Sequence, residues 1–235
     1  MLTLLRNIRK SLIDSGSTQK YLLYAVGEIA LVVVGILIAL QINNWNEEEK
    51  DRKKEVSYLI SLKSNLENDI NLLEEIILQD SMDILSLRNI TNQILSANGE
   101  KPIQRNNALF RAQKFHPNKS TIDNIISSGN MDIIQNDSLV DKLLIYYRTV
   151  DVYHDGIDYS LKNYSRDLES LFIKFDHVLD HPLLKRRPSR DFREDPSILN
   201  AIYFKNGLLR YQIQNYKALQ SRAENILKML ELNLS

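Results

Sequence analysis

Tyr21 to Leu40 (YLLYAVGEIALVVVGILIAL) is an apolar run of twenty residues interrupted by one ionisable side chain, Glu28. At about 1.5 Å of helical rise per residue it reaches roughly 30 Å, the thickness of a bilayer's hydrocarbon core. A secretory signal peptide has a shorter apolar stretch and a small-residue cleavage site. This run continues instead into Gln41-Ile42-Asn43-Asn44-Trp45 with no A-x-A-like exit. The pattern therefore predicts a retained transmembrane helix over 21–42.

Beyond it the period changes. Trp45 to Leu95 contains neither Gly nor Pro, and Val56, Leu59, Leu62, Leu66, Ile70, Leu73 and Ile77 recur at steps of three and four, the stripe of an amphipathic helix. Ala97-Asn98-Gly99-Glu100-Lys101-Pro102 ends it, Gly suiting a left-handed cap and Pro barring continuation. So long a helix suggests a kink or break between Asp80 and Asp83. A second helical segment is predicted over 106–114, stopping at His116-Pro117. A short helix capped by Ser120 or Thr121 then runs to Ser128 and ends at Gly129. Asn136-Asp137 is a helix-start signal, and Leu139, Leu143, Tyr146, Tyr147, Val150, Tyr153, Ile157, Leu161, Tyr164, Leu168, Leu171 and Phe175 keep the helical period after it. A polar loop over 176–195 carries Pro182 and Pro188. A final helix, or a pair broken near Gly207, covers 197–232. No strand-type alternation appears. Long helices with short connections fold back on one another, so the fold class is all-α: one N-terminal transmembrane helix followed by a long-helix up-down bundle. The domains are 1–20, a basic amphipathic juxtamembrane segment; 21–42, the span; and 43–235, the helical domain.

Charge places the span in its membrane. Met1 to Ile13 gathers Leu2, Leu5, Ile8, Leu12 and Ile13 near one helical face, with Arg6, Arg9 and Lys10 mostly elsewhere. Such a segment lies in the headgroup layer, with Arg6, Arg9 and Lys10 as interfacial anchors on one side of the span and Trp45 on the other. Lys20 adds to the cations ahead of the span; behind it, Lys50, Arg52, Lys53 and Lys54 follow Glu47, Glu48 and Glu49. The cationic bias of the flanks nearly ties. A short N-terminal tail that need not be translocated favours a cytoplasmic N-terminus and a periplasmic C-terminal domain.

Over the whole chain, 30 basic residues balance 30 acidic ones, which argues against nucleic acid or another polyanion as partner. The chain has no cysteine, so disulfides, thiolate metal sites and cysteine nucleophiles are excluded. Seven Gly and five Pro in 235 residues are sparse punctuation, as long helices require.

The residues Lys20 to Ile29 (KYLLYAVGEI) and Gly35 to Glu47 (GILIALQINNWNE) resemble a Gram-negative bacterial family of small, membrane-anchored proteins of unknown function. From residue 48 onward the resemblance is one of helical layout, with a segment from Thr121 to Asn136 similar to the family's middle part. The resemblance implies a single-pass membrane protein and brings no activity, substrate or catalytic residue with it.

Candidate chemistry is sparse. A carboxylate in hydrocarbon costs several kcal/mol, so Glu28 should face a partner or stay protonated. Gly35 and Ala39 lie on its helical face and provide the small-xxx-small spacing that lets helix backbones approach. Glu28, Gly35 and Ala39 are therefore the expected transmembrane association face, against the plainer reading of a protonated Glu28 that snorkels to the headgroups. Asp151, His154, Asp155 and Asp158 share one broad helical face, and His177 and His181 stand among Asp176 and Asp180. Neither set has a third ligand at a motif spacing, so both read as solvated surface and no metal site is expected. Lys185, Arg186, Arg187, Arg190 and Arg193 read as an exposed basic loop. Tyr146, Tyr147, Tyr153, Tyr159 and Tyr164 should pack with their hydroxyls at the bundle rim, a ligand groove being the alternative. No P-loop, Rossmann or G-x-S-x-G fingerprint occurs, and neither an enzymatic activity nor a cofactor is expected. The expectation is a membrane-anchored structural or interaction protein whose partners are membrane lipids and either a second copy or another membrane protein. Its rivals are a small subunit of an ion-driven complex using Glu28, and a ligand-binding sensor domain.

Overall fold

The computed structural model describes residues 18–96, 107–174 and 196–234. Every regular element among them is helical. They are α1 (Thr18–Leu95), a 3-10 turn (Asn107–Leu109), α2 (Ser120–Ser127), a second 3-10 turn (Met131–Ile133), α3 (Asp137–Lys174) and α4 (Pro196–Leu234). The chain divides into two units, Met1–Glu55 and Val56–Ser235. Of the expected features, Arg6, Arg9 and Lys10 lie outside the described residues, as do His177, His181 and the basic loop from Lys185 to Arg193.

In the first unit, residues 22–40 expose nearly every large apolar side chain. This is the one helix among the described residues long and apolar enough to cross a membrane.

In the second unit the buried seam of α1 is Leu59, Leu62, Leu66, Asp69, Leu73, Ile76, Asp80, Asp83, Leu87, Ile90 and Ile94, with Asn65 also buried beside it. The steps alternate three and four without a slip, a 3.5-residue period that keeps one seam facing its neighbours. The same period runs through α4, from Ile198, Ile202, Lys205, Leu209 and Gln212 to Tyr216, Leu219, Ala223, Ile226 and Leu230. Each fully buried Leu or Ile on these seams contributes about 1.5–3 kcal/mol of transfer free energy. Directions follow from the contacts. Asn136 meets Asn233, while Tyr164 stacks on Phe204, so α3 and α4 run oppositely. Lys63 pairs with Glu231 at 3.0 Å, whereas Asp80 lies near Lys205, so α1 and α4 also run oppositely.

The structure departs from the sequence expectations at three places. α1 is helical straight through Asp80 and Asp83; nothing there breaks a helix, and the acids are buried rather than turned out. Of the segment 106–114, the described residues 107–114 form no α-helix. Only Asn107–Leu109 makes a 3-10 turn, and 111–119 has no regular structure. The start of α2 is held not by Ser120 or Thr121 but by Asn118, whose Oδ1 accepts from the Ser120 backbone N–H at 3.1 Å. Elsewhere the signals hold. Gly129 has φ +68°, the left-handed region that favours glycine, just after α2. Asn136 Oδ1 accepts from the Leu139 N–H at 3.0 Å to start α3. α4 passes Gly207 unbroken.

Candidate functional site

On the span, Glu28, Gly35 and Ala39 fall on one face of α1, with Glu28 partly covered and the other two exposed. Nothing among the described residues comes within 4 Å of where a Cβ on Gly35 would sit, so that face is open to another helix. Tyr24, one turn before Glu28, has a shielded hydroxyl with no hydrogen-bond partner among the described residues. Trp45 is exposed.

The second unit holds the polar chemistry. A chain of nine residues, 111–119, lacks the internal hydrogen bonds of a helix or sheet and yet carries Phe115, which is 0% exposed. A buried backbone must have its donors and acceptors met somewhere, and here side chains from three helices meet them. α4 takes one side: Lys205 Nζ donates to the Arg111 carbonyl at 2.6 Å, Gln212 Nε2 to the Gln113 carbonyl at 2.6 Å, and the Phe115 N–H donates to the Tyr216 hydroxyl at 3.1 Å. The alternation 111, 113, 115 is that of an extended chain, and Lys205, Gln212 and Tyr216 share one face of α4. α3 takes another side, with His154 Nε2 on the Phe115 carbonyl and the Tyr147 hydroxyl donating to the Asn118 carbonyl at 3.4 Å. α1 closes the far end: Asp69 accepts from the Asn118 N–H at 2.9 Å and from the Tyr146 hydroxyl at 3.2 Å. Asn65 accepts from the Asn118 amide at 3.0 Å and donates to Thr121 at 2.8 Å. The segment is a strap, threaded among helices and fastened by their side chains.

Its near end is fastened by charge. Arg111 pairs with Asp83 at 2.7 Å, and Asp80, Asp83 and Lys205 are only 2%, 3% and 1% exposed. One oxygen of each carboxylate, Asp80 Oδ2 and Asp83 Oδ2, is buried without a hydrogen bond among the described residues, as is Gln113 Oε1. Burial pushes Asp80 up to about 7, the neighbouring Asp83 adding to the rise and Lys205 and Arg111 opposing it. Burial lowers Lys205 from the ordinary lysine range, against the pull of Asp80 and Asp83. The Lys205 ammonium also stands 5.4 Å from the centre of the Tyr164 ring. At the far end, burial raises Asp69 to about 6, its bonds from Asn118 and Tyr146 limiting the shift. Burial likewise raises Tyr146, Tyr147, Tyr164 and Tyr216 above the usual phenol range.

The strap also accounts for the histidine face of α3. Lys114 pairs with Asp158, His116 stacks edge-on against His154 with centroids 5.1 Å apart, and Lys119 pairs with Asp151 at 2.5 Å. The face that read as solvated is thus a docking ladder for the strap, and no metal-holding group of three converges among the described residues. The tyrosines also differ from expectation. Tyr146 and Tyr147 hydroxyls bond in the interior rather than at a rim, and the Tyr164 hydroxyl is buried with no hydrogen-bond partner among the described residues. A cavity of about 330 Å³ between α3 and α4 is lined by Tyr159, Asn163, Tyr164, Asp167, Leu168 and Phe204, among others.

Sequence reasoning passed over Asn65, Asp69, Asp80, Asp83, Lys205, Gln212 and Tyr216. The signal was present for all but Asn65: each of the others occupies a position where the three-four stripe calls for an apolar side chain.

Residues 28–206 match the model of a family of unknown function, DUF6090. The chain belongs to that family. The match begins inside the span at Glu28 and ends on α4 at Asn206, so it takes in both carboxylates, the whole strap and Lys205. Lys20 to Gly27, the first part of the anchor motif, lies ahead of it. No curated protein and no solved structure is significantly similar to the chain.

Proposed function

We propose that this family member is a membrane-anchored structural or interaction protein without enzymatic activity. In this reading, residues 21–42 cross the inner membrane of a Gram-negative cell once, with the N-terminus cytoplasmic, and hold an up-down helical bundle in the periplasm. The observation that carries it is the uninterrupted exposure of large apolar side chains over residues 22–40, a surface that water would not tolerate and lipid would cover. The buried polar side chains of the second unit support the non-enzymatic part, because Asp69, Lys205 and Gln212 are committed to the backbone of 111–119. A reporter active only outside the inner membrane, fused after Ser235, is expected to be active. Activity of a cytoplasmic reporter at that position would reverse the orientation.

The partner in this reading is a second copy, met through the span. Glu28 needs a hydrogen bond away from water, Tyr24 brings an unpaired hydroxyl one turn away, and Gly35 and Ala39 allow close approach. Bonds of this kind are worth about 0.6–2 kcal/mol in membranes, enough to bias association. Glu28→Gln should largely preserve crosslinking of the full-length protein in membranes, while Glu28→Leu and Gly35→Leu should each reduce it severalfold. Equal yields for all three would leave Glu28 as a side chain that snorkels. Loss of cellular function in Glu28→Gln with crosslinking intact would favour an ion-driven complex in which Glu28 titrates.

A further inference from the structure

We propose that Asp80 is a proton-binding site that controls how firmly the strap 111–119 is seated among the helices. This rests on the second unit alone and is independent of membrane orientation.

The geometry supplies the coupling. The Arg111 end of the strap is held by two cations, the Arg111 guanidinium on Asp83 at 2.7 Å and the Lys205 ammonium on the Arg111 carbonyl at 2.6 Å. Both act beside Asp80, which has a buried oxygen without a hydrogen-bond partner among the described residues. Asp80 and Asp83 are three apart on α1, which places their Cβ atoms about 5–6 Å apart, and Asp83 also has an unpartnered oxygen. A proton on Asp80 therefore has an acceptor in reach and removes one of two crowded negative charges. When Asp80 is ionised, the buried set holds a carboxylate with an unmet oxygen, and lifting the strap admits the water that would satisfy it.

The groups facing Asp80 are Asp83 on α1, Arg111 on the strap, and Lys205 and Tyr216 on α4, with Tyr164 of α3 beneath Lys205. The sign follows from where the proton is held. With the strap seated, Asp80 keeps its proton to about pH 7; with it lifted, an ordinary carboxyl loses the proton at about 4. Between those limits the seated state binds more protons, so seating weakens as pH rises, by up to about tenfold per pH unit. Asp69 at the Asn118 end acts in the same sense to about pH 6, facing Tyr146 and Tyr147 of α3. Lys205 acts oppositely, over the interval between its lowered value and the ordinary lysine range.

Hydrogen exchange of the full-length protein in detergent micelles, read on peptides spanning 110–119 and corrected for intrinsic rates, tests the proposal. Protection should fall as pH rises, and the part of the fall between about pH 6 and about pH 7, beyond the reach of Asp69, should vanish in Asp80→Asn. Asp141→Asn, at an exposed carboxylate on α3, should leave the profile unchanged. Wild-type protection independent of pH overturns the proposal, as does the same fall persisting in Asp80→Asn or disappearing in Asp141→Asn. Should Asp80→Asn fail to fold, infrared spectroscopy of the wild-type protein decides. A protonated carboxyl band still present at about pH 7, above the reach of Asp69, and lost by about pH 8 supports the site, and its absence at about pH 7 overturns it.

Discussion

Lys205→Met is expected to destabilise the helical domain by about 3–5 kcal/mol, the range for removing one partner from a buried charge group. Methionine fills most of the volume of lysine, so the loss is electrical rather than steric. The Arg111 carbonyl loses its donor at 2.6 Å, and Asp80 and Asp83 keep only Arg111 as a nearby cation. An unmet buried acceptor alone costs about 1–3 kcal/mol. The double variant Asp80→Asn with Lys205→Met removes one anion together with the cation. It should recover at least about 1 kcal/mol relative to Lys205→Met, a coupling of the size seen for residues sharing a charge network. Denaturant unfolding followed by circular dichroism measures both. Additive losses would show that Lys205 is held by the Arg111 carbonyl alone and that Asp80 is electrically independent of it.

What the sequence made legible is what repeats. The span is twenty residues of one character, and α1, α3 and α4 announce themselves through steps of three and four. Local stop and start chemistry was legible too, because Gly129 and Asn136 act within a few residues of their own position. The strap was not. The stretch 106–114 contains Leu109, Phe110, Ala112 and Lys114 at spacings a helix tolerates, and nothing local forbids one before Pro117. What overrides that propensity lies about a hundred residues away: Lys205, Gln212 and Tyr216 supply bonds to the backbone at separations of 94, 99 and 101 residues. A single sequence gives no distance between such partners. The stripe of α1 was read as Leu66, Ile70, Leu73, Ile77 because an apolar residue was always available one position from the true seam. Following the strict period instead would have landed on Asp69, Ile76, Asp80 and Asp83, and three acids on a buried seam demand partners. Those acids are the readable trace of the strap. Of the cations that answer them, Lys205 stands on the seam of α4 in the same way, whereas Arg111, in a segment without a helical period, carries no such mark in the sequence.

Phe115 should be the apolar pin of the strap, and Phe115→Ala is expected to cost about 3–5 kcal/mol, the range for emptying a buried aromatic site. Its ring is fully buried and meets Tyr216 edge to face with centroids 6.0 Å apart, while its backbone joins α4 through Tyr216 and α3 through His154. Removing the ring therefore loosens the anchors on both sides of the strap. By contrast, Tyr203→Ala removes a larger side chain that is 83% exposed on α4 and should change stability by no more than about 0.5 kcal/mol. Arg111, Lys114 and Lys119 place three trypsin sites along the strap, each held in an ion pair while the strap is seated. Where opening is fast relative to cleavage, proteolysis follows the population of the open form. A loss of about 3 kcal/mol carried by local opening would then speed cleavage at these sites by roughly a hundredfold, since each 1.4 kcal/mol is about tenfold. The pattern of fragments separates two routes. Cuts confined to Arg111, Lys114 and Lys119 mean that the strap lifts while the helices stay packed. Cuts spread at the same rate over α3 and α4 mean that the strap is part of one cooperative core and leaves only when the helices do. The side-chain bonds to its backbone favour the first outcome, because each of them can be exchanged for water without uncovering the leucine seams.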